Sequence, residues 1–181
     1  MKKPLIILDR DGVINFDSPD FIKSADEWIP IDGSIEAIAR LKSKNYIVSI
    51  ATNQSGLSRG LFSQLELAKM HNKLDDLLSD YGTSIDLIRY CPHLPGHKCA
   101  CRKPLPGMYK SIATHFAISL EGVPVVGDSI RDLQAAISVN ASPYLVLTGK
   151  GRKTMHHPDL PKQTKIFSDL SAATNYILNH G

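Results

Sequence analysis

Four short stretches collect the residue types that could do chemistry. Asp9-Arg10-Asp11-Gly12 sets two carboxylates two residues apart, directly after the apolar run Leu5–Leu8. Held at ~4 Å in an effective dielectric of ~20, two such charges repel by about 4 kcal/mol. A divalent cation removes that cost. Mg²⁺ suits the pair, being hard, oxygen-seeking and usually bound by few carboxylates together with phosphate and water. The plainer alternative is that Asp-x-Asp-Gly is only a turn. In Thr52-Asn53-Gln54-Ser55-Gly56, a hydroxyl, side-chain amides and free backbone N–H groups could cradle a phosphoryl group, or simply form a polar loop. Arg102-Lys103 could neutralise a bound phosphate, or be a solvated pair. In Gly127-Asp128-Ser129, Asp128 could complete a metal site with Asp9 and Asp11, or serve as a helix N-cap.

A different chemistry gathers in one loop. Cys91-Pro92-His93 and Cys99-Ala100-Cys101 supply three thiols and an imidazole. Cys91, His93, Cys99 and Cys101 can close a tetrahedral Zn²⁺ site that leaves no open position, which makes the metal structural. Free buried cysteines are the alternative, and His97 is a spare ligand that could replace His93. The zinc loop, residues 91–104, ends at Arg102-Lys103, so zinc there would hold the very residues offered to phosphate.

Such residues need rigid elements behind them. Leu5-Ile6-Ile7-Leu8 reads as a strand buried on both faces. Further strands are expected at Tyr46–Ala51, Ile85–Tyr90, Val123–Val126 and Tyr144–Leu147, with an edge strand at Ile166-Phe167. Helical spacing opens at Gly33-Ser34. It recurs after Ser63, where Ser63 and Glu66 fit a reciprocal capping box and Gly82 a stop. Gly107–Phe116, Ile130–Val139 and a last helix begun by Ser168 complete the pattern. Alternating strands and helices predict an α/β fold, a mainly parallel sheet in a Rossmann-like three-layer α/β/α sandwich. Ligands bind such sheets beyond the carboxyl ends of the strands, where the polar stretches lie. Arg10, between the two acids, should point to the other side and is given no catalytic role.

Composition narrows the class. The 181 residues are 43% hydrophobic, enough for a core, and suit one domain over residues 1–181. A net charge of +3 without a basic block argues against nucleic acid as a partner. The early apolar run is too short for a membrane span or a signal-peptide core. The expectation is a cytoplasmic protein, a monomer, bound to no membrane. No insertion is long enough for a large cap domain, so the loops Asn15–Pro30, Ser55–Ser63 and Cys91–Pro104 must shape an open pocket. Lys150, Arg152 and Lys153 follow the fifth strand and read as a solvated basic turn rather than a second phosphate site. Phe21 and Trp28 are expected to pack the loop after the acid pair, though either could line the pocket.

The order of the stretches carries a resemblance. Asp9-x-Asp11-Gly12, Thr52, Lys103 and Gly127-Asp128 together resemble the four motifs of the haloacid dehalogenase phosphatases, over nearly the whole chain. The resemblance implies that Asp9 is a nucleophile forming an aspartyl-phosphate and that Asp11 is the acid and then the base. It implies Mg²⁺ on Asp9, Asp128 and the backbone carbonyl of Asp11, with Thr52 and Lys103 on the phosphoryl oxygens. Asp132 is expected to cap or support rather than to ligate. The zinc loop, Asp9-Arg10-Asp11-Gly12-Val13-Ile14-Asn15 and Thr52-Asn53-Gln54-Ser55-Gly56 further resemble the D-glycero-D-manno-heptose-1,7-bisphosphate 7-phosphatases. That family removes the C7 phosphate of a small phosphorylated sugar on the way to ADP-heptose and the lipopolysaccharide core. It implies substrate contacts at Asp17, Ser18, Pro19, Asp20, Thr52, Asn53, Gln54, Ser55, Arg102 and Lys103. The related histidinol-phosphate phosphatases share the zinc loop and are the alternative; their second-strand loop reads Asn-Gln-Asp-Gly where this chain has Asn53-Gln54-Ser55-Gly56. Some heptose enzymes carry Lys after the metal-binding Asp, where this chain has Ser129. A non-catalytic zinc-loop binding module is a distant third possibility, and it leaves the acids at the strand ends unexplained.

Overall fold

Leu5, Ile6, Ile7 and Leu8 are all buried, as a strand covered on both faces must be. In the computed structural model, which describes residues 3–180, they form β1 (Leu5–Leu8), the middle of one sheet. Along the chain follow α1 (Ser34–Ser43), β2 (Ile47–Asn53), α2 (Gln64–Ser79), β3 (Leu87–Cys91) and α3 (Gly107–Phe116). Then come β4 (Pro124–Gly127), α4 (Ile130–Ile137), β5 (Ser142–Val146), α5 (Gly151–Thr154), β6 (Lys165–Phe167) and α6 (Leu170–His180). The sheet has six strands in the order β3-β2-β1-β4-β5-β6, and every pairing is parallel.

Side-chain alternation along β1 splits the core in two. Ile6 and Leu8 join Ile38 and Leu41 of α1, Met70 and Leu74 of α2, and Ala173 and Ile177 of α6. Leu5 and Ile7 join Met108 and Ile112 of α3 and Ala135 and Ala136 of α4 on the other face. The three-layer α/β/α sandwich expected from the strand–helix alternation is therefore the fold. Strand order reverses between β1 and β4, which opens a crevice beyond their carboxyl ends. Among the described residues no helix is long and apolar enough to cross a membrane.

Local chemistry adjusts several expected boundaries. The hydroxyl of Ser63 accepts from the Glu66 N–H, but the Glu66 carboxylate turns to Lys69 at 2.7 Å, so the capping is not reciprocal. At α4 the reciprocal box is present and belongs to Ser129 and Asp132; Ser129, not Asp128, is the N-cap. Asp169 rather than Ser168 caps α6, accepting from the Ala172 N–H at 2.8 Å. The short α5 had no apolar period to announce it.

Candidate active site

Each sheet strand that borders the crevice delivers one functional stretch. Asp9 follows β1, Thr52 and Asn53 end β2, and Asp128 follows β4. They converge on a cleft of about 350 Å³ that also receives Lys103 from the loop after β3.

Lys103 ties the floor together. Its ammonium group is buried at 2% exposure and donates to the Ala51 carbonyl at 2.7 Å. The same group lies 3.0 Å from Asp9 Oδ1 and 2.5 Å from Asp132 Oδ1. Burial alone would lower its pKa, but Asp132 and Asp9 outweigh that and raise it. Its backbone is clamped to β2: the Lys103 N–H donates to Asn53 Oδ1, and Asn53 Nδ2 donates to the Lys103 carbonyl, both at 3.1 Å. Asn53 thus acts on the cleft through Lys103. Gln54 Nε2 donates to Thr52 Oγ1 and to Asp11 Oδ2, each at 2.8 Å.

Asp9, Asp128 and Asp132 offer carboxylate oxygens that all lie within 4.8 Å of one another. Burial, then the neighbouring Asp132 charge, push Asp9 up to about 8, against the lowering effect of Lys103. Burial and Asp132 push Asp128 up to about 7. Lys103 outweighs burial at Asp132 and holds it low. Carboxylates so reluctant to ionise together are short of positive charge, and a divalent cation fits that deficit. The backbone is shaped around Asp128. Gly12 (φ +83°) and Gly149 (φ +54°) sit so close that a Cβ on either would lie 2.2 Å from Asp128 Oδ2. The Lys150 N–H donates to that same oxygen at 2.8 Å, and Thr148 Oγ1 donates to the Gly12 carbonyl at 2.6 Å.

Asp11 is held differently from the other acids. Its carboxylate lines the cleft but stays out of the acid cluster. Its oxygens are taken by Arg10, Asn15 and Gln54. Burial would raise its pKa, but the Arg10 cation and these donors lower it. Arg10 departs from expectation. It does not point away from the acids but turns back to chelate Asp11, because β1 ends at Leu8 and strand alternation no longer applies beyond it.

Of the expected substrate contacts, Asp17, Ser18, Pro19, Thr52, Asn53, Gln54, Ser55, Arg102 and Lys103 line the cleft. Asp20 does not; it is exposed in a turn whose backbone bonds to Ser18. Phe21 reaches the cleft, whereas Trp28 is buried in the core. Sequence reasoning missed Arg59 and Arg131 and set Lys150 aside as a solvated turn; all three also line it. Lys150 is no free basic turn, since its Nζ lies 2.5 Å from Asp17 Oδ2. Its place just past the end of β5 was the available signal.

Beside the cleft, Cys91, His93, Cys99 and Cys101 bring three sulfurs and one ring nitrogen within 4.8 Å of one another. Cys101 Sγ is 3.1 Å from Cys91 Sγ and 3.3 Å from His93 Nδ1, and Cys91 Sγ is 3.9 Å from Cys99 Sγ. Zn–S bonds of about 2.3 Å in a tetrahedron set sulfurs about 3.8 Å apart, so the four groups fit a zinc ion. His97 lies outside the cluster, its ring 6.2 Å from that of His93. Arg102 stays close by donating to the His93 carbonyl at 3.0 Å.

Known proteins resemble this chain in sequence and fold. The family described as HAD-hydrolase-like matches residues 100–173. The D-glycero-β-D-manno-heptose-1,7-bisphosphate 7-phosphatase of Bordetella bronchiseptica is 53% identical over 174 residues, covering 96% of this chain and 97% of the relative. That of Pseudomonas aeruginosa is 52% identical over 178 residues, covering 98% and 99%. The crystal structure of the B. bronchiseptica enzyme complexed with magnesium and phosphate superposes with a TM-score of 0.96 over 98% of this chain and 99% of that one, at 52% identity. The chain therefore belongs to the D-glycero-β-D-manno-heptose-1,7-bisphosphate 7-phosphatase family of the haloacid dehalogenase-like hydrolases.

Proposed function

We propose that the protein is a Mg²⁺-dependent phosphoric monoester hydrolase that removes the C7 phosphate of D-glycero-β-D-manno-heptose 1,7-bisphosphate, a step toward ADP-heptose and the lipopolysaccharide core. The observation that carries this reading is the convergence of Asp9, Asp128 and Lys103 at the sheet's switch point, in a chain about half identical to enzymes of that name.

Asp9 is the nucleophile. Both of its short contacts, the Arg10 N–H at 2.7 Å and Lys103 Nζ at 3.0 Å, engage Oδ1 and fix the carboxylate's direction. Attack on phosphorus gives an aspartyl-phosphate and expels the sugar alkoxide. Asp11 gives that alkoxide a proton and takes one back from the water that hydrolyses the intermediate. Arg10, Asn15 and Gln54 keep Asp11 charged, ready as a base. An incoming dianionic phosphoryl group beside it favours proton uptake, which readies it as an acid. Thr52, Lys103 and the N–H groups near Ser55 bind phosphoryl oxygens as charge shifts among them. Mg²⁺, held by Asp9 and Asp128, supplies charge neutralisation for the phosphoryl group. Asp132 keeps Lys103 in place rather than ligating. Zinc on Cys91, His93, Cys99 and Cys101 holds the loop that presents Arg102 and Lys103.

We extend the reading to one cytoplasmic, monomeric domain acting on a free sugar phosphate; the single sheet with helices on both faces supports the one-domain part. The test is hydrolysis of the heptose bisphosphate and of histidinol phosphate at equal concentration with Mg²⁺. Preferential release of the C7 phosphate is expected. A clear preference for histidinol phosphate overturns the substrate assignment.

A further inference from the structure

We infer that Arg10 is a positioning residue for turnover, holding the Asp11 carboxylate in its working orientation from a fixed point on α2. The guanidinium is 1% exposed. Its Nη2 lies 3.0 Å from Asp11 Oδ1 and 3.1 Å from Oδ2, and Nε lies 3.2 Å from Oδ1. The fork therefore engages both oxygens, which a lysine's single ammonium cannot reproduce.

The remaining nitrogen is anchored elsewhere. Nη1 reaches Met70 Sδ at 3.7 Å and His71 Nε2 at 3.4 Å, both on α2. Burial and the neighbouring Arg10 charge hold the His71 imidazole down at about 4, so at neutral pH the ring is uncharged and Nε2 accepts. Asn15 Nδ2 at 2.9 Å and Gln54 Nε2 at 2.8 Å complete the frame around Asp11. The carboxylate, 21% exposed, has one open side, toward the cleft. A group that must meet first a leaving alkoxide and then a water gains from such a frame, because proton transfer needs hydrogen-bond reach. The role requires that Asp11 be the acid and base proposed above.

Leaving groups separate this role from a merely structural one. A sugar alkoxide needs a proton to depart, whereas nitrophenolate does not. The first turnover of wild type, Arg10→Lys and Asp11→Asn is measured by rapid quench with the heptose bisphosphate and with para-nitrophenyl phosphate. Arg10→Lys should slow release of the sugar roughly tenfold or more, leave the nitrophenolate burst rate unchanged and leave KM unchanged. Equal slowing of both substrates, or slowing of neither, overturns the role of Arg10. Should Asp11→Asn itself slow both alike, the acid/base reading of Asp11 falls, and the Arg10 role with it. If Arg10→Lys does not fold, His71→Leu removes the Nη1 acceptor away from the cleft. A smaller loss confined to the sugar substrate supports the role, and wild-type rates on both overturn it.

Discussion

Lys103 Nζ lies 3.0 Å from Asp9 Oδ1, with the Asp132 carboxylate on its other side at 2.5 Å. One buried cation is thus shared by Asp9, the proposed nucleophile, and by Asp132, the partner of the N-cap Ser129 in the α4 capping box. The loop after β3, the end of β1 and the start of α4 are locked to one another at the cleft. Lys103→Met leaves both acids without their cation. Hydrolysis should fall on the order of 10²–10³-fold, and the melting temperature should drop because buried charges lose their partner. Lys103→Arg should not restore turnover, since its planar fork cannot meet Ala51, Asp9 and Asp132 in place of a tetrahedral ammonium. Steady-state rates and thermal melts check both, and near wild-type turnover in Lys103→Met would contradict the assignment.

Gly149 tests the cradle around Asp128. Its φ of +54° strains any side chain, and an alanine Cβ would press against Asp128 Oδ2 and, at 2.7 Å, against Gly12 Cα. The strain is on the order of 1–3 kcal/mol. Gly149→Ala should displace the Asp128 carboxylate, and the Mg²⁺ concentration for half-maximal activity should rise roughly tenfold. A magnesium titration that overlays the wild type would show that the cradle does not set Asp128.

The acid cluster predicts a pH dependence for the metal-free protein. Asp9 at about 8 and Asp128 at about 7 both stand above the ordinary carboxylate range. The folded state therefore binds more protons than the unfolded chain between about pH 4 and 8. Stability from these two groups is fully present below the unfolded pKa and is lost as pH rises through 7 to 8. Asp11 and Asp132, held low, act only at the acid end of the range. Melting temperatures without Mg²⁺ should fall from pH 5.5 to 8.5, Asp128→Asn should flatten the slope, and added Mg²⁺ should stabilise more at higher pH. A metal-free melting temperature that rises across that window would refute the electrostatic account.

Zinc removal tests the loop. With Cys91, His93, Cys99 and Cys101 unlinked, Arg102 and Lys103 lose the frame behind them. A misplacement of about 1 Å costs on the order of 10²-fold in rate. Chelation followed by Mg²⁺ restoration should therefore leave a protein with most of its helix signal and little activity, recovered on adding Zn²⁺. Full activity at zero zinc content, measured by elemental analysis, would contradict this.

The legible parts of the chain were those with a strong local period. The apolar runs gave the strands, and Gly107–Phe116 was read to the residue as α3. The parallel sheet then placed Asp9, Thr52 and Asp128 at one end without any side-chain information. What stayed hidden depended on directions taken where regular structure stops. Arg10 turns back on Asp11 because it stands past β1, and Asp20 turns outward within an irregular loop. Lys150 and Arg131 look like ordinary surface cations in a linear reading; only the meeting of the first turn of α4 and the segment after β5 brings them to the cleft.

The most direct measurement follows the phosphate itself. Substrate carrying ³²P at C7 is mixed with enzyme, quenched in acid during turnover, and the protein digested and mapped. Label on the peptide that holds Asp9, more of it in Asp11→Asn and none in Asp9→Asn, is the predicted result. Turnover with no protein-bound phosphate, or label that survives Asp9→Asn, would contradict the account.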